Sequence, residues 1–160
     1  MLTEQPGDLF VDCPPYISIG NAVSLDFSMH AGLAKVFRAK FGRIDFLRSQ
    51  VTATGMCSVL QHKGRYVFYL VTKARFYQKP TYTTVTQALQ SLRYHLLRLG
   101  LKQVALPGRM CCGLDRLHWR TVKQIITTVF QGSGVHIYIL YRLITGRNVL
   151  SCLRHRFGEI

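Results

Sequence analysis

At 160 residues, with 48 % hydrophobic and 18 % charged residues, the chain is long enough for one domain with a real core. It is too short for two ordinary domains and too apolar to be a disordered chain. No apolar run approaches the ~20 residues that cross a bilayer, and the opening MLTEQPGDLF lacks the basic and apolar regions of a secretory signal, so neither membrane nor secretion is expected. The formal net charge of +14 favours an anionic partner, a nucleotide or a nucleic acid, although the basic residues are scattered as on an ordinary solvated surface.

The elements read in chain order as follows. Residues 16–25 (YISIGNAVSL) have strand character, with small and β-branched residues and no helical period. Residues 30–43 predict a helix, with Leu33, Val36, Phe37 and Phe41 at helical spacing and Gly42 as its stop. Residues 55–62 and 65–72, separated by Lys63 and Gly64, predict an antiparallel hairpin. Its second strand is apolar on both faces, which places it inside a sheet covered on both sides. Residues 79–100 predict the clearest helix, opened by Pro80 and threonines, striped by Val85, Leu89, Leu92, Leu96 and Leu99, and closed by Gly100. A short strand at 102–107, a helix at about 116–130 and a last strand at 135–141 complete the alternation. Such alternation indicates an α/β layered domain with a mixed sheet. A basic extension follows from 142 to 160, with room for one more short helix.

The five cysteines are odd in number and irregularly spaced, and no C-x-x-C occurs. A disulfide framework and a structural metal are therefore not expected, and an intracellular compartment, nucleus or cytoplasm, is.

Two polar residues stand at the ends of strands. Lys73 follows the doubly apolar strand, and Asp115 lies in the connection after the strand ending at Leu106. If those strands are parallel neighbours, both residues reach the carboxyl edge of the sheet, where ligand crevices of open α/β sheets form. Taken alone, Asp115 reads first as a helix N-cap worth about 1 kcal/mol, and Lys73 as an exposed charge. The small residues at 30–34 and 107–115 suit close backbone approach to a phosphate at a helix N-terminus, although neither a Walker A pattern nor G-x-G-x-x-G is present.

GDLF (7–10), MHAGLAKVFRAKFG (29–42), RYVFYLVTKARFYQKPTY (65–82) and CGLDRLHW (112–119) together resemble the macrodomain of the terminal ADP-ribose protein glycohydrolase family, over roughly residues 7–141. The resemblance implies a three-layer α/β/α macrodomain in residues 1–141 that binds ADP-ribose and needs no cofactor. It matches Asp8 to the aspartate that recognises the adenine amino group, with Leu9 beside it. Ser24 matches a serine near the nucleotide, Ala31 and Gly32 part of a first phosphate loop, and Arg109, Met110, Cys111, Cys112, Gly113 and Leu114 a second. Lys73 matches a nucleophilic lysine and Asp115 an acid/base aspartate that also remains placed to cap.

The implied activity is removal of ADP-ribose from acidic side chains of modified proteins, with deacylation of O-acyl-ADP-ribose as a related one. A basic, partly buried setting would favour the free amine of Lys73. The implied partners are ADP-ribose and ADP-ribosylated proteins, with the chain acting as a monomer. Departures from the family pattern are His30 and Cys111 at loop glycines, Ser28 at an arginine, and Gly108 as a one-residue insertion. Two further readings follow from these and from the charge: an ADP-ribose reader without turnover, and a nucleic-acid-binding module using the basic surface.

Overall fold

In the computed structural model, which describes residues 1–113 and 115–142, six strands build one sheet. In chain order the elements are β1 (Leu2–Pro6), β2 (Ser18–Ser24), α1 (Gly32–Phe41), α2 (Ile44–Ser49), β3 (Cys57–His62), β4 (Arg65–Lys73), α3 (Tyr82–Arg98), β5 (Gln103–Pro107), α4 (Trp119–Phe130) and β6 (His136–Tyr141). The strand order is β1-β6-β5-β2-β4-β3, parallel throughout except for the β3–β4 hairpin. The sheet is thus mixed, as the alternation of elements required. The short helix expected beyond Arg142 lies outside the described residues.

Period-2 alternation assigns the two layers. Val67, Tyr69 and Val71 of β4 join Ile19 and Val23 of β2, Phe37 of α1 and Leu47 of α2 in one core. Phe68 and Leu70 point the other way, into a second core with Leu89, Leu92 and Leu96 of α3 and Val122 and Ile126 of α4. Helices therefore cover both faces, giving three α/β/α layers. The stripe read along residues 79–100 is the face α3 buries, and Gly100, at φ +68, ends that helix.

Two elements depart from the sequence reading. The segment Leu2–Pro6 is a strand, although LTEQP has neither alternation nor a β-branched run; its pairing with β6 supplies what propensity does not. The six-residue α2 is too short to carry a periodic signal.

Several contacts hold the carboxyl edge. Thr81 caps α3 by accepting from the Thr84 N–H at 3.1 Å, while the Thr84 hydroxyl donates to the Thr72 carbonyl at 2.6 Å, so the helix start is tied to the end of β4. Across the molecule, the Glu4 carboxylate accepts from the Trp119 indole at 2.7 Å and the Lys123 ammonium at 2.8 Å, fastening α4 to β1. Gly108 sits where an added Cβ would lie 2.6 Å from Tyr141 Cβ and 3.1 Å from its Cα, so the chain leaving β5 passes β6 too closely for a side chain.

Two outcomes follow. The Lys123 ammonium, against a smaller opposing effect of burial and with help from the Trp119 indole, holds Glu4 below its usual 4.5. A depressed carboxylate contributes stability above its unfolded value and loses it as pH falls through the lower folded value. Glu4→Gln should therefore cost about 1 kcal/mol near neutral pH, the exposure of Lys123 keeping the figure small. Urea midpoints should show that gap closing as the pH drops below 4.5. Gly108→Ala should cost ~1–3 kcal/mol by forcing Tyr141 away, read as a lowered urea midpoint with an unchanged m-value.

Candidate functional site

The strand ending at Lys73 and the strand whose following loop carries Asp115 are parallel but not neighbours: β2 runs between β4 and β5. The expectation of adjacency is therefore corrected, because a six-stranded sheet leaves room for the earlier strand to insert. The residues meet nevertheless. Lys73 is the last residue of β4, and its Nζ donates to Asp115 Oδ1 at 2.8 Å across 42 positions of sequence. Their side chains keep 16 % and 21 % of their exposure, so the pair is sheltered yet open to a ligand.

Asp115 is not the cap of α4. That helix starts at Trp119, four residues beyond Asp115, with His118 in the cap position and no side-chain cap bond. The expectation that one carboxylate would both cap and face the crevice is corrected, because its oxygen is committed to Lys73 instead.

The backbone around the pair is irregular in ways that shape a crevice. The β2–β4 register shifts between Val23 and Ser24, and Ser24 pairs with Lys73 at that bulge. The Leu25 N–H donates to the Lys73 carbonyl at 2.8 Å. The Ser24 hydroxyl donates to Asp26 Oδ1 at 2.5 Å; Asp26 also accepts the N–H groups of Ser28 at 3.2 Å and Phe76 at 3.1 Å. Burial opposes the charge on Asp26, but Ser24 and these N–H groups outweigh it and hold the carboxyl below its usual range. The sequence reading passed over Asp26. Its one signal was scarcity: seven acidic residues in the chain.

Both proposed phosphate loops border this floor. Ala31 occupies the cap position of α1 in extended conformation with no side-chain cap bond, and Gly32 follows at φ +59, both exposed. His30 contacts Ser28 through its Nδ1 and packs edge-on against Phe76, ring centroids 4.7 Å apart. In the second loop Arg109 is exposed at φ +57 and Cys111 buried at φ +65, conformations that cost a non-glycine residue about 1–2 kcal/mol each. The Met110 and Cys111 side chains pack into the α3/α4 core, leaving their backbone as the part that can face a ligand. Burial first, and then the Asp115 carboxylate, push the Cys111 thiol up to about 12, which makes it an inert thiol rather than a nucleophile. Cys112 is half-buried, Gly113 is exposed, and Leu114 lies outside the described residues.

Asp8 stands at the far end of the same edge. From β4 to β1 is four inter-strand steps, about 19 Å, so a ligand touching both Lys73 and Asp8 must be extended. Asp8 Oδ1 accepts from the N–H groups of Phe10 at 2.8 Å and Val11 at 3.2 Å, and Oδ2 pairs with Arg142 at 2.9 Å. Burial opposes its charge, but Phe10, Arg142 and Val11 together hold it below the usual range. Leu9 beside it is buried in the α1/α2 core. Among the described residues no group of three or more His, Cys, Asp or Glu is placed to hold a metal ion. No helix among them is long and apolar enough to cross a membrane.

No family model matches the chain. Individual relatives do. The ADP-ribose glycohydrolase OARD1 of Bos taurus is 39 % identical over 138 residues, covering 86 % of this chain and 90 % of that protein. The Homo sapiens OARD1 protein is 38 % identical over the same shares. Among solved structures, the macrodomain of Thermus aquaticus DarG superposes with a TM-score of 0.76 at 23 % identity, covering 88 % of this chain and 97 % of that one. A shared fold across nearly the whole domain, and shared sequence over nine-tenths of the OARD1 proteins, place this chain in the macrodomain family beside them.

Proposed function

We propose that the chain is an ADP-ribose-binding hydrolase that removes ADP-ribose from acidic side chains of modified proteins, with Lys73 as nucleophile and Asp115 as acid/base. The observation that carries this reading is the 2.8 Å contact between the Lys73 ammonium and the Asp115 carboxylate at the carboxyl edge of the sheet. The kinship with proteins named ADP-ribose glycohydrolase supports the substrate class.

The chemistry balances with these two groups and water. Asp115 already accepts the Lys73 hydrogen bond and takes that proton, which frees the amine. The amine attacks the anomeric carbon of the ribose; the bond from that carbon to the acyl oxygen breaks, and the protein leaves as its carboxylate. Opening of the sugar ring gives an imine on Lys73. Water adds to the imine carbon, the carbon–nitrogen bond breaks, and ADP-ribose leaves while the amine is restored. Asp115 carries the protons of both halves. An O-acyl-ADP-ribose presents a related ester to the same pair and is a second substrate class.

At the other end, Asp8 receives the adenine amino group through the carboxylate it now shares with Arg142. Between them, the exposed backbone at Ala31, Gly32, Arg109 and Gly113 faces the pyrophosphate.

Two tests separate this hydrolase from a reader without turnover. With a glutamate-ADP-ribosylated protein, Lys73→Ala and Asp115→Asn should each abolish release, and the double variant should be no worse than the poorer single one. Borohydride added during turnover should trap an adduct in the wild type, none in Lys73→Ala and far less in Asp115→Asn, whose lysine has lost the base that frees it, whereas a reader would bind ADP-ribose and give neither product nor adduct. The second test concerns adenine. Asp8→Ala would also release the Phe10 and Val11 N–H groups, so Asp8→Asn, which keeps an acceptor for both, is the cleaner variant. Its melting temperature should stay near wild type while calorimetry shows weaker ADP-ribose binding; undiminished affinity would remove Asp8 from the adenine site.

A further inference from the structure

The two ends of the sheet carry opposite chemistry. Asp8, Asp12, Asp26 and Asp115 all lie in loops of the carboxyl edge, four of the six acidic residues among those described. The opposite end holds a groove of about 620 Å³ between α2, the edge strand β3 with its hairpin turn, and the last turn of α3. Arg43, Lys63 and Arg98 line it, and no acidic residue does. None of the three takes part in the three ion pairs found among the described residues. No carboxylate among the described residues therefore neutralises them, and of the three only Arg98 has a side-chain hydrogen bond, its Nε donating to His95 Nδ1 at 3.0 Å.

The groove also offers a stacking platform. The Arg43 guanidinium lies 4.4 Å from the centroid of the Phe46 ring, and Phe46 remains 43 % exposed. Two of the cations hold conformations that their backbone would rather give to glycine or asparagine: Arg43 at φ +54 and Lys63 at φ +47. Lys63 and Gly64, at φ +82, make a hairpin turn with both central residues left-handed, where Asn-Gly is the favoured pair. Keeping long cationic side chains at two such positions is a cost that a solvated surface does not require.

A peptide adding as a further strand is the other occupant an exposed sheet edge invites. Here the Gln50 side chain prevents it: its amide donates to the Val59 carbonyl at 2.9 Å and accepts from the Val59 N–H at 2.8 Å, closing the middle of β3. A duplex is a convex rod, whereas this site is a concavity of single-ligand size.

We propose that this groove is a binding site for single-stranded nucleic acid, with backbone phosphates on Arg43, Lys63 and Arg98 and a base on the Arg43–Phe46 stack. Positive grooves with aromatic platforms bind single strands in this way and tolerate sequence. Since the groove opens at the end of the sheet away from Lys73 and Asp115, a strand and ADP-ribose occupy the molecule together. The site thereby brings the domain to RNA or DNA without competing for its crevice.

The experiment uses the full chain and a short fluorescein-labelled oligouridine, followed by anisotropy across a salt series. Wild type should bind the single strand better than a duplex of equal length, and saturating ADP-ribose should leave that affinity unchanged. Arg43→Gln/Lys63→Gln/Arg98→Gln should weaken binding at least ~30-fold and flatten the log–log salt slope by about 2, as expected for three lost phosphate contacts on a single strand. Phe46→Ala should weaken it ~5-fold or more with the slope unchanged, as a lost stacking contact does. Both variants should retain ADP-ribose binding, which guards against misfolding as the cause. Wild-type affinity in the triple variant would place any binding elsewhere, on the basic extension from 143 to 160, and overturn the proposal. So would competition by ADP-ribose, or equal preference for duplex.

Discussion

The crevice depends on one geometric constraint: the end of one strand and the loop after another, on strands that do not touch, must converge on the same point. With β2 between β4 and β5, Lys73 and Asp115 start from positions two inter-strand steps apart, about 10 Å. The connection after β5 spans the gap by folding back rather than running straight into α4. The Leu117 N–H returns to the Cys111 carbonyl at 3.1 Å, which brings those two residues back together. The helix then starts only at Trp119, where the Glu4 carboxylate holds it. Placement of Asp115 is therefore a product of β1, β5 and α4 together. The ion pair itself, partly exposed, adds little to stability; the fold holds the pair in place.

How far this could be read from the sequence follows from the range of each interaction. The helices α1, α3 and α4 announce themselves through periods of their own and the strands β2 to β6 through short apolar and β-branched runs, because these signals lie within the element. The strand β1 does not, since LTEQP acquires its state from Ile137 to Tyr141 more than a hundred residues later. Strand order is likewise a long-range property, and the condition that β4 and β5 be neighbours is not met. That failure did not carry to the site: a parallel sheet delivers all its strand ends to one edge, whatever their order.

Within the site, residue identity was more legible than residue role. Lys73 and Asp115 are found in contact, while Asp26, which gathers Ser24, Ser28 and Phe76, went unnoticed because a lone aspartate near a strand end carries no pattern. The departures at His30 and Cys111 acquire physical meaning only in three dimensions. Cys111 does occupy a glycine-like conformation, with its side chain directed to the core rather than toward a phosphate. His30 is exposed and packs on Phe76, joining the loop before α1 to the loop after Lys73. Each substitution is thus accommodated away from the backbone surface that a pyrophosphate would use.

The distribution of charge gives the last connection between sequence and function. In a chain with fourteen surplus positive charges, a carboxylate near Lys73 has other cations close by. Arg116 adjoins Asp115 directly, yet it is exposed in a left-handed conformation, and Asp115 pairs with Lys73. Asp8 and Asp26 are likewise fixed by backbone N–H groups. The long-range field of the molecule draws an anion toward it from any direction. In the proposed binding mode, the few carboxylates at the carboxyl edge orient what arrives, with acceptors at both ends of the crevice and backbone N–H groups between. A uniformly basic crevice would attract such a ligand more strongly but would lack the carboxylate that pairs with Lys73 at 2.8 Å. The scarcity of acidic residues and their concentration at this edge are therefore parts of one arrangement under the proposed function: attraction by the whole surface, and chemistry by the exceptions to it.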